Sequence, residues 1–153
     1  MFEKGFAMRT YVYRARFESG ERGGVVVSFP DVPEAITQGR DDADARVQAE
    51  EALGLGLLSY AVRRLPLPKP RARGSELVPI AVEPETAAKL ALIEAVREAD
   101  ISKSELARRL GKDEKQARRI LDPMHPTKLV TLIAALRALG QRLVIGVEHA
   151  DAA

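Results

Sequence analysis

Residues 9–29 read RTYVYRARFESGERGGVVVSF, and their alternation decides the fold class. From Arg9 to Phe17, Tyr11, Tyr13, Ala15 and Phe17 fall on one side of a period of two, opposite Thr10, Val12, Arg14 and Arg16, as in a half-buried strand. The glycine- and charge-rich stretch Glu18–Gly24 reverses the chain. Val25, Val27 and Phe29 then alternate with Val26 and Ser28 in a second strand, which makes a hairpin. Pro30 and Pro33 lack the N–H a ladder needs, so the chain must bend before a short third strand near Ala35–Gln38, closed by Gly39.

Beyond the hairpin, Asp41, Asp42 and Asp44 stand where negative charge suits a helix start, and Ala45, Ala49, Ala52, Leu53, Gly56, Leu57 and Tyr60 recur at helical spacing. Gly54 and Gly56 weaken such a helix, and a close helix–sheet approach is the expected reason for both. The proline-rich basic connector Leu65–Gly74 is expected to be stiff and extended, like a linker. It leads to a strand at Leu77–Val82, in which Pro79 predicts a sheet edge. Residues 8–83 therefore read β-β-β-α-β, and residues 1–7, ahead of a second methionine, read as a tail.

After Glu83 the period becomes helical. Pro84 suits a first helical position, with Ala88, Leu92, Ala95 and Val96 forming a stripe that ends near Asp100. Ser102–Leu110 and Asp113–Leu121 read as two short helices around Gly111. Asp122–Pro126 breaks the pattern, and Leu129, Leu132, Ile133, Leu136 and Leu139 run to a stop at Gly140. Residues 84–148 thus form an all-α domain that ends in an apolar segment, Arg142–Val147. That segment resembles a strand with no partner in its own domain and is expected to pair with a second chain. The fold class is α+β.

Composition narrows the function. The 153 residues are 46% hydrophobic and 30% charged, which suits a folded globular chain. No apolar run reaches the roughly 18 residues of a membrane span and no leader pattern opens the chain, so a cytoplasmic protein is expected. Cysteine is absent, which excludes disulfides and thiolate chemistry. The net charge is +2, but residues 102–119 hold seven basic side chains against three acidic ones, a local +4 that leaves the rest at −2. Positive charge concentrated in this way is the footprint of a phosphate-binding surface.

The spacing of Ile101–Leu121 gives that charge a geometry. Ala107 stands where two helices approach closely, Leu106, Leu110, Ala117, Ile120 and Leu121 supply a small core, Gly111 permits a left-handed turn, and Asp113 can cap the second helix. Glu114, Lys115, Gln116, Arg118 and Arg119 are then the polar candidates for meeting DNA. The segment resembles the helix-turn-helix of the phage-repressor (XRE-like) group. By that resemblance Lys103 touches phosphate, Glu114, Lys115 and Arg118 face the groove, and Arg119 serves the backbone. Such readers bind paired half-sites, so a homodimer or higher oligomer is expected, with residues 142–147 as the candidate joint.

Catalysis has little to work with. The acids of the first domain cluster at a helix start, where the macrodipole and solvation explain them. His125 and His149 lie outside that domain, and no glycines have phosphate-loop spacing. No catalytic residue, metal or cofactor is expected.

Tyr11–Phe17, Gly24–Pro33, Thr37–Gly39, the acidic helix start and Glu50–Leu53 together resemble the HicB antitoxin family over residues 8–83. The resemblance implies a shortened ribonuclease H-like fold, a partner that is a small RNA-cleaving HicA-type toxin whose active site is masked, and repression of the protein's own operon through the C-terminal domain. Phe29, Pro30 and Asp31 are the expected toxin contacts. Where that family usually has glycine and cysteine after the second proline, this chain has Glu34 and Ala35. The alternative from a different class is an ordinary transcriptional regulator whose α+β domain senses a small ligand.

Overall fold

The alternation of β1 (Val12–Ser19) becomes burial: Tyr13 and Ala15 are inside, with Tyr11 and Phe17 half-buried beside them. A computed structural model describes residues 8–149; the tail expected at 1–7 lies outside the described residues. β1 pairs with β2 (Val25–Ser28), and β2 with β3 (Ile36–Gly39), one residue later than expected. With β4 (Val78–Ala81) the sheet has the order β3-β2-β1-β4, antiparallel throughout, which puts Pro79 on an edge strand as predicted.

Helix α1 (Asp42–Val62) covers one face of the sheet and buries Ala45, Ala49, Leu53 and Leu57. Asp41 caps it by accepting from the Asp44 amide at 2.8 Å. Two glycines set its approach. A Cβ on Gly39 would fall 2.2 Å from the Ala45 nitrogen, and one on Gly56 would lie 3.1 Å from the Ala35 Cβ and 3.2 Å from Val32. Gly56 thus lets the helix close on the loop before β3 rather than on the sheet. Gly54 corrects the expectation: among the described residues outside its own helix, a Cβ there would meet Thr86 alone, at 3.6 Å, an ordinary contact.

These contacts fix the direction of the chain. The start of α1 lies at the end of β3 and its last turns lie at the beginning, so a strand entered directly from the helix would run parallel to β1. The observed β4 is antiparallel, because residues 65–77 first run back as an extended strap. The strap is held down. The Tyr13 hydroxyl, whose pKa burial pushes up to about 12, donates to the Pro68 carbonyl at 2.6 Å, and an Asp31 carboxylate oxygen accepts from the Arg71 and Ala72 amides at 2.9 and 2.7 Å.

Pro84 opens α2 (Pro84–Ala99), where Glu83 accepts from the Glu85 and Thr86 amides. α3 (Lys103–Leu110), α4 (Glu114–Leu121) and α5 (Leu129–Ala138) follow. α2 serves two cores. Leu90 joins the core under the sheet, while Ala88, Leu92 and Ala95 pack with Ile120, Leu132, Ala135 and Leu136. Arg9 pairs with Glu94 and Glu98 at 2.6 Å each, and the Tyr11 hydroxyl donates to Glu94 at 2.9 Å, tying α2 to the start of the first strand.

The strand expected at 142–147 is not formed. Both sheet edges belong to the other unit, and a lone strand has no ladder to satisfy its amides. Leu143 packs on the helical core, and Val144, Ile145 and Val147 are exposed.

The glycine geometry yields two opposite outcomes. Gly39→Ala must push α1 off the sheet and should lower stability by about 2–3 kcal/mol. Gly54→Ala adds helix propensity at an ordinary contact and should raise stability by up to about 1 kcal/mol. Urea unfolding of both variants checks the two signs.

Candidate functional site

The segment between Ser102 and Leu121 builds two helices at a fixed angle from local chemistry. Ser102 caps α3 by accepting from the Glu105 amide at 3.0 Å. Gly111 then turns the chain at φ +63, while the Lys112 amide donates to the Ala107 carbonyl at 2.9 Å. Asp113 and Gln116 form a reciprocal capping box: the Asp113 carboxylate accepts from the Gln116 amide at 2.8 Å, and the Gln116 side-chain oxygen accepts from the Asp113 amide at 3.1 Å. Leu106, Ala107 and Ala117 are buried between the helices, and Ile120 joins the core made with α2 and α5.

The basic side chains on this pair fall into two groups. Arg108 and Arg109 both bond Glu105, at 2.5–3.0 Å, and hold its carboxyl down at about 2. Arg118 pairs with Glu114 at 3.0 Å, and Glu114 also accepts from the Ser104 hydroxyl at 3.3 Å, across the turn. Lys103, Lys112, Lys115 and Arg119 are exposed and make no ion pair among the described residues. Exposed pairs such as Arg118–Glu114 contribute about 0–1 kcal/mol, so an incoming phosphate or base edge can displace them. Of the side chains expected to meet DNA, Gln116 is the one whose oxygen is committed to holding the helix start.

Lys89 is the residue that sequence patterning missed. It is buried on α2, and its ammonium donates to the Ile120 carbonyl at 2.6 Å, the Arg119 carbonyl at 3.3 Å and the Thr127 hydroxyl at 2.6 Å. A cation thus sits on the last carbonyls of α4, where the helix dipole is negative. Burial pulls its pKa down to about 8, and the Asp122 carboxylate opposes that shift. A signal existed: three residues before Leu92, Lys89 falls on the apolar side of the helix.

The loop residues expected to meet a toxin differ in exposure. Phe29 is 2% exposed and belongs to the core, so it offers no partner a surface. Asp31 is occupied by the strap, and only Pro30 of the three is exposed. Glu34 accepts from the Tyr60 hydroxyl at 2.8 Å and from Arg63 at 3.3 Å, and the Tyr60 bond leads the causes that lower its pKa. It fastens the loop to the end of α1, and buried Ala35 fits against Gly56. Two surface concavities, one at Thr86, Lys89, Met124 and Thr127 and one at Arg14, Asp31 and Arg73, each hold about 200 Å³. Both are open and below the ~300–1,000 Å³ of typical small-ligand pockets.

Residues 12–91 match the family model described as the HicB-like antitoxin of bacterial toxin–antitoxin systems, and the chain belongs to that family. It is 33% identical to antitoxin HicB 1 of Photorhabdus laumondii over 149 residues, covering 96% of this chain and 94% of that protein. Against antitoxin HicB of Escherichia coli K12 the identity is 34% over 133 residues, 86% and 95% of the two chains. Antitoxin HicB of Pseudomonas fluorescens is 34% identical over 131 residues, 85% and 90%. The matched region ends inside α2, one residue after Leu90 completes the first core. No helix among the described residues is long and apolar enough to cross a membrane.

Lys89 makes stability depend on pH in a definite sense. The folded chain releases this proton near pH 8 and an unfolded lysine near 10.5, so between these values the unfolded state binds more protons. The contribution of Lys89 therefore grows as pH rises through that window and is lost as pH falls through 8. In urea unfolding between about pH 7 and pH 10, the stability difference between wild type and Lys89→Met should rise by about 1–3 kcal/mol. A flat difference would show that the amine titrates as in water.

Proposed function

We propose that this antitoxin acts in the cytoplasm without catalysis, binding and masking a HicA-type RNA-cleaving toxin through its sheet unit and repressing its own operon through α3 and α4, used as an XRE-like helix-turn-helix. The observation that carries the proposal is the joining, in one chain, of a sheet unit matched to an antitoxin family with a capped helix pair bearing four cations that make no ion pair among the described residues. Toxin pairing rests on the family. DNA binding rests on the helix pair: α4 carries Lys115 and Arg118 toward base edges, Glu114 and Gln116 beside them and Arg119 at phosphate, and α3 carries Lys103 at phosphate.

The protein acts as a dimer. Paired half-sites about 34–36 Å apart require two readers, and the exposed Val144, Ile145 and Val147 supply an apolar segment for joining them. The ligand-sensor alternative gains no support from concavities this small and open.

Co-expression with the product of the neighbouring small gene tests the antitoxin half. The two should copurify, and the neighbour alone should arrest growth; a harmless neighbour that does not bind overturns this role. For the DNA half, Arg118→Ala should weaken operator binding by about 1–3 kcal/mol and relax sequence preference, whereas Lys103→Ala should weaken binding to all duplexes alike and lower the salt slope by about one. Equal wild-type affinity for operator and unrelated duplex, read by fluorescence anisotropy, counts against sequence-specific repression.

A further inference from the structure

We propose that Lys89, donating from α2 to the last carbonyls of α4, is the positioning residue that sets the pose of α4 for sequence-specific contact with DNA. The proposal rests on the DNA-binding role proposed above. Lys89 itself lies on a different helix from the candidate DNA contacts, and it is too buried to meet DNA.

Three observations carry it. The first is where the bonds go. α4 is only eight residues long, its start is fixed by the capping box, and its end has no side-chain cap of its own: the Asp122 carboxylate accepts from the Met124 amide in the following loop. The Lys89 ammonium fills that gap by bonding the Arg119 and Ile120 carbonyls. The second is the third bond, to Thr127, which pins the loop leading from α4 to α5 to the same cation. The third is the placement of α2. Lys89 lies between Ala88, in the helical core, and Leu90, in the core under the sheet, so α4 is fastened to a helix that the rest of the molecule holds from both sides.

Sequence-specific contact demands more of this pose than non-specific attraction does. A bidentate bond to a base edge tolerates little displacement of the helix, whereas phosphate attraction depends on charge that remains wherever α4 shifts. Losing the lysine contact should therefore reduce discrimination first.

The test is fluorescence anisotropy with the full chain on two duplexes, its own promoter fragment and a scrambled sequence, at fixed salt and at a temperature where circular dichroism shows the protein folded. Lys89→Met, close to lysine in length but without the cation, should bind the promoter about tenfold more weakly, while its affinity for the scrambled duplex falls no more than about twofold. Lys89→Arg restores a cationic donor and should recover part of the loss. A merely structural role would lower both affinities together, in proportion to the folded fraction, and this would overturn the proposal. Unchanged promoter affinity in Lys89→Met would overturn it as well. Should Lys89→Met not fold, Thr127→Val, which removes one acceptor from the same cation, carries the test: selective loss on the promoter supports the proposal and unchanged affinity overturns it. A wild type that fails to prefer its promoter is a separate result, which removes the DNA-binding role and this proposal with it.

Discussion

Helix α2 is the constraint on which the structure depends, because this sixteen-residue helix buries side chains on two sides at once. Leu90 closes the core beneath the sheet, while Ala88 and Leu92, two residues to either side, and Ala95 join the helical core. A helix buried on both sides cannot swing like a linker without opening apolar surface, at about 25 cal/mol per Å². The Arg9 and Tyr11 contacts to Glu94 and Glu98 reinforce the arrangement from the surface. The sheet unit and the α3–α4 pair therefore share one rigid reference.

Local chemistry made much of the fold legible. Alternation in residues 9–29 placed the hairpin, Pro79 announced an edge strand, and Pro84, Ser102, Gly111 and Asp113 marked helix ends at or within a residue of where they fall, because each acts on its own neighbours. What stayed hidden depended on residues distant in sequence. The strap looks like a linker until Asp31, some forty residues earlier, is seen to accept its amides. Gly54 and Gly56 are indistinguishable in a helical pattern, yet only Gly56 faces a crowded loop. Residues 142–147 have the composition of a strand, and composition cannot supply a partner. Lys89 was obscured because a lysine on an apolar stripe usually carries its charge out to water.

Glu34 has two partners at the end of α1, Tyr60 in its last turn and Arg63 just past it, and the Arg63 guanidinium lies 4.8 Å from the Tyr60 ring centre. The loop after β2 is thereby anchored at one end by Glu34 and at the other by Asp31. Of the residues expected to meet a toxin, Phe29 and Asp31 are the ones that shape this loop, one from the core and one by holding the strap.

The closure of the first core by Leu90 also bears on how the chain is made. A ribosome releases the hairpin, α1 and the strap before any of them has its full complement of apolar contacts. The sheet gains its last strand only when residues 78–81 emerge, and its core is sealed only when α2 follows. Folding of the sheet unit is thus timed by synthesis of the helix that begins the other unit. A nascent chain interrupted before that helix would present an unfinished sheet to quality-control proteases rather than a half-length antitoxin.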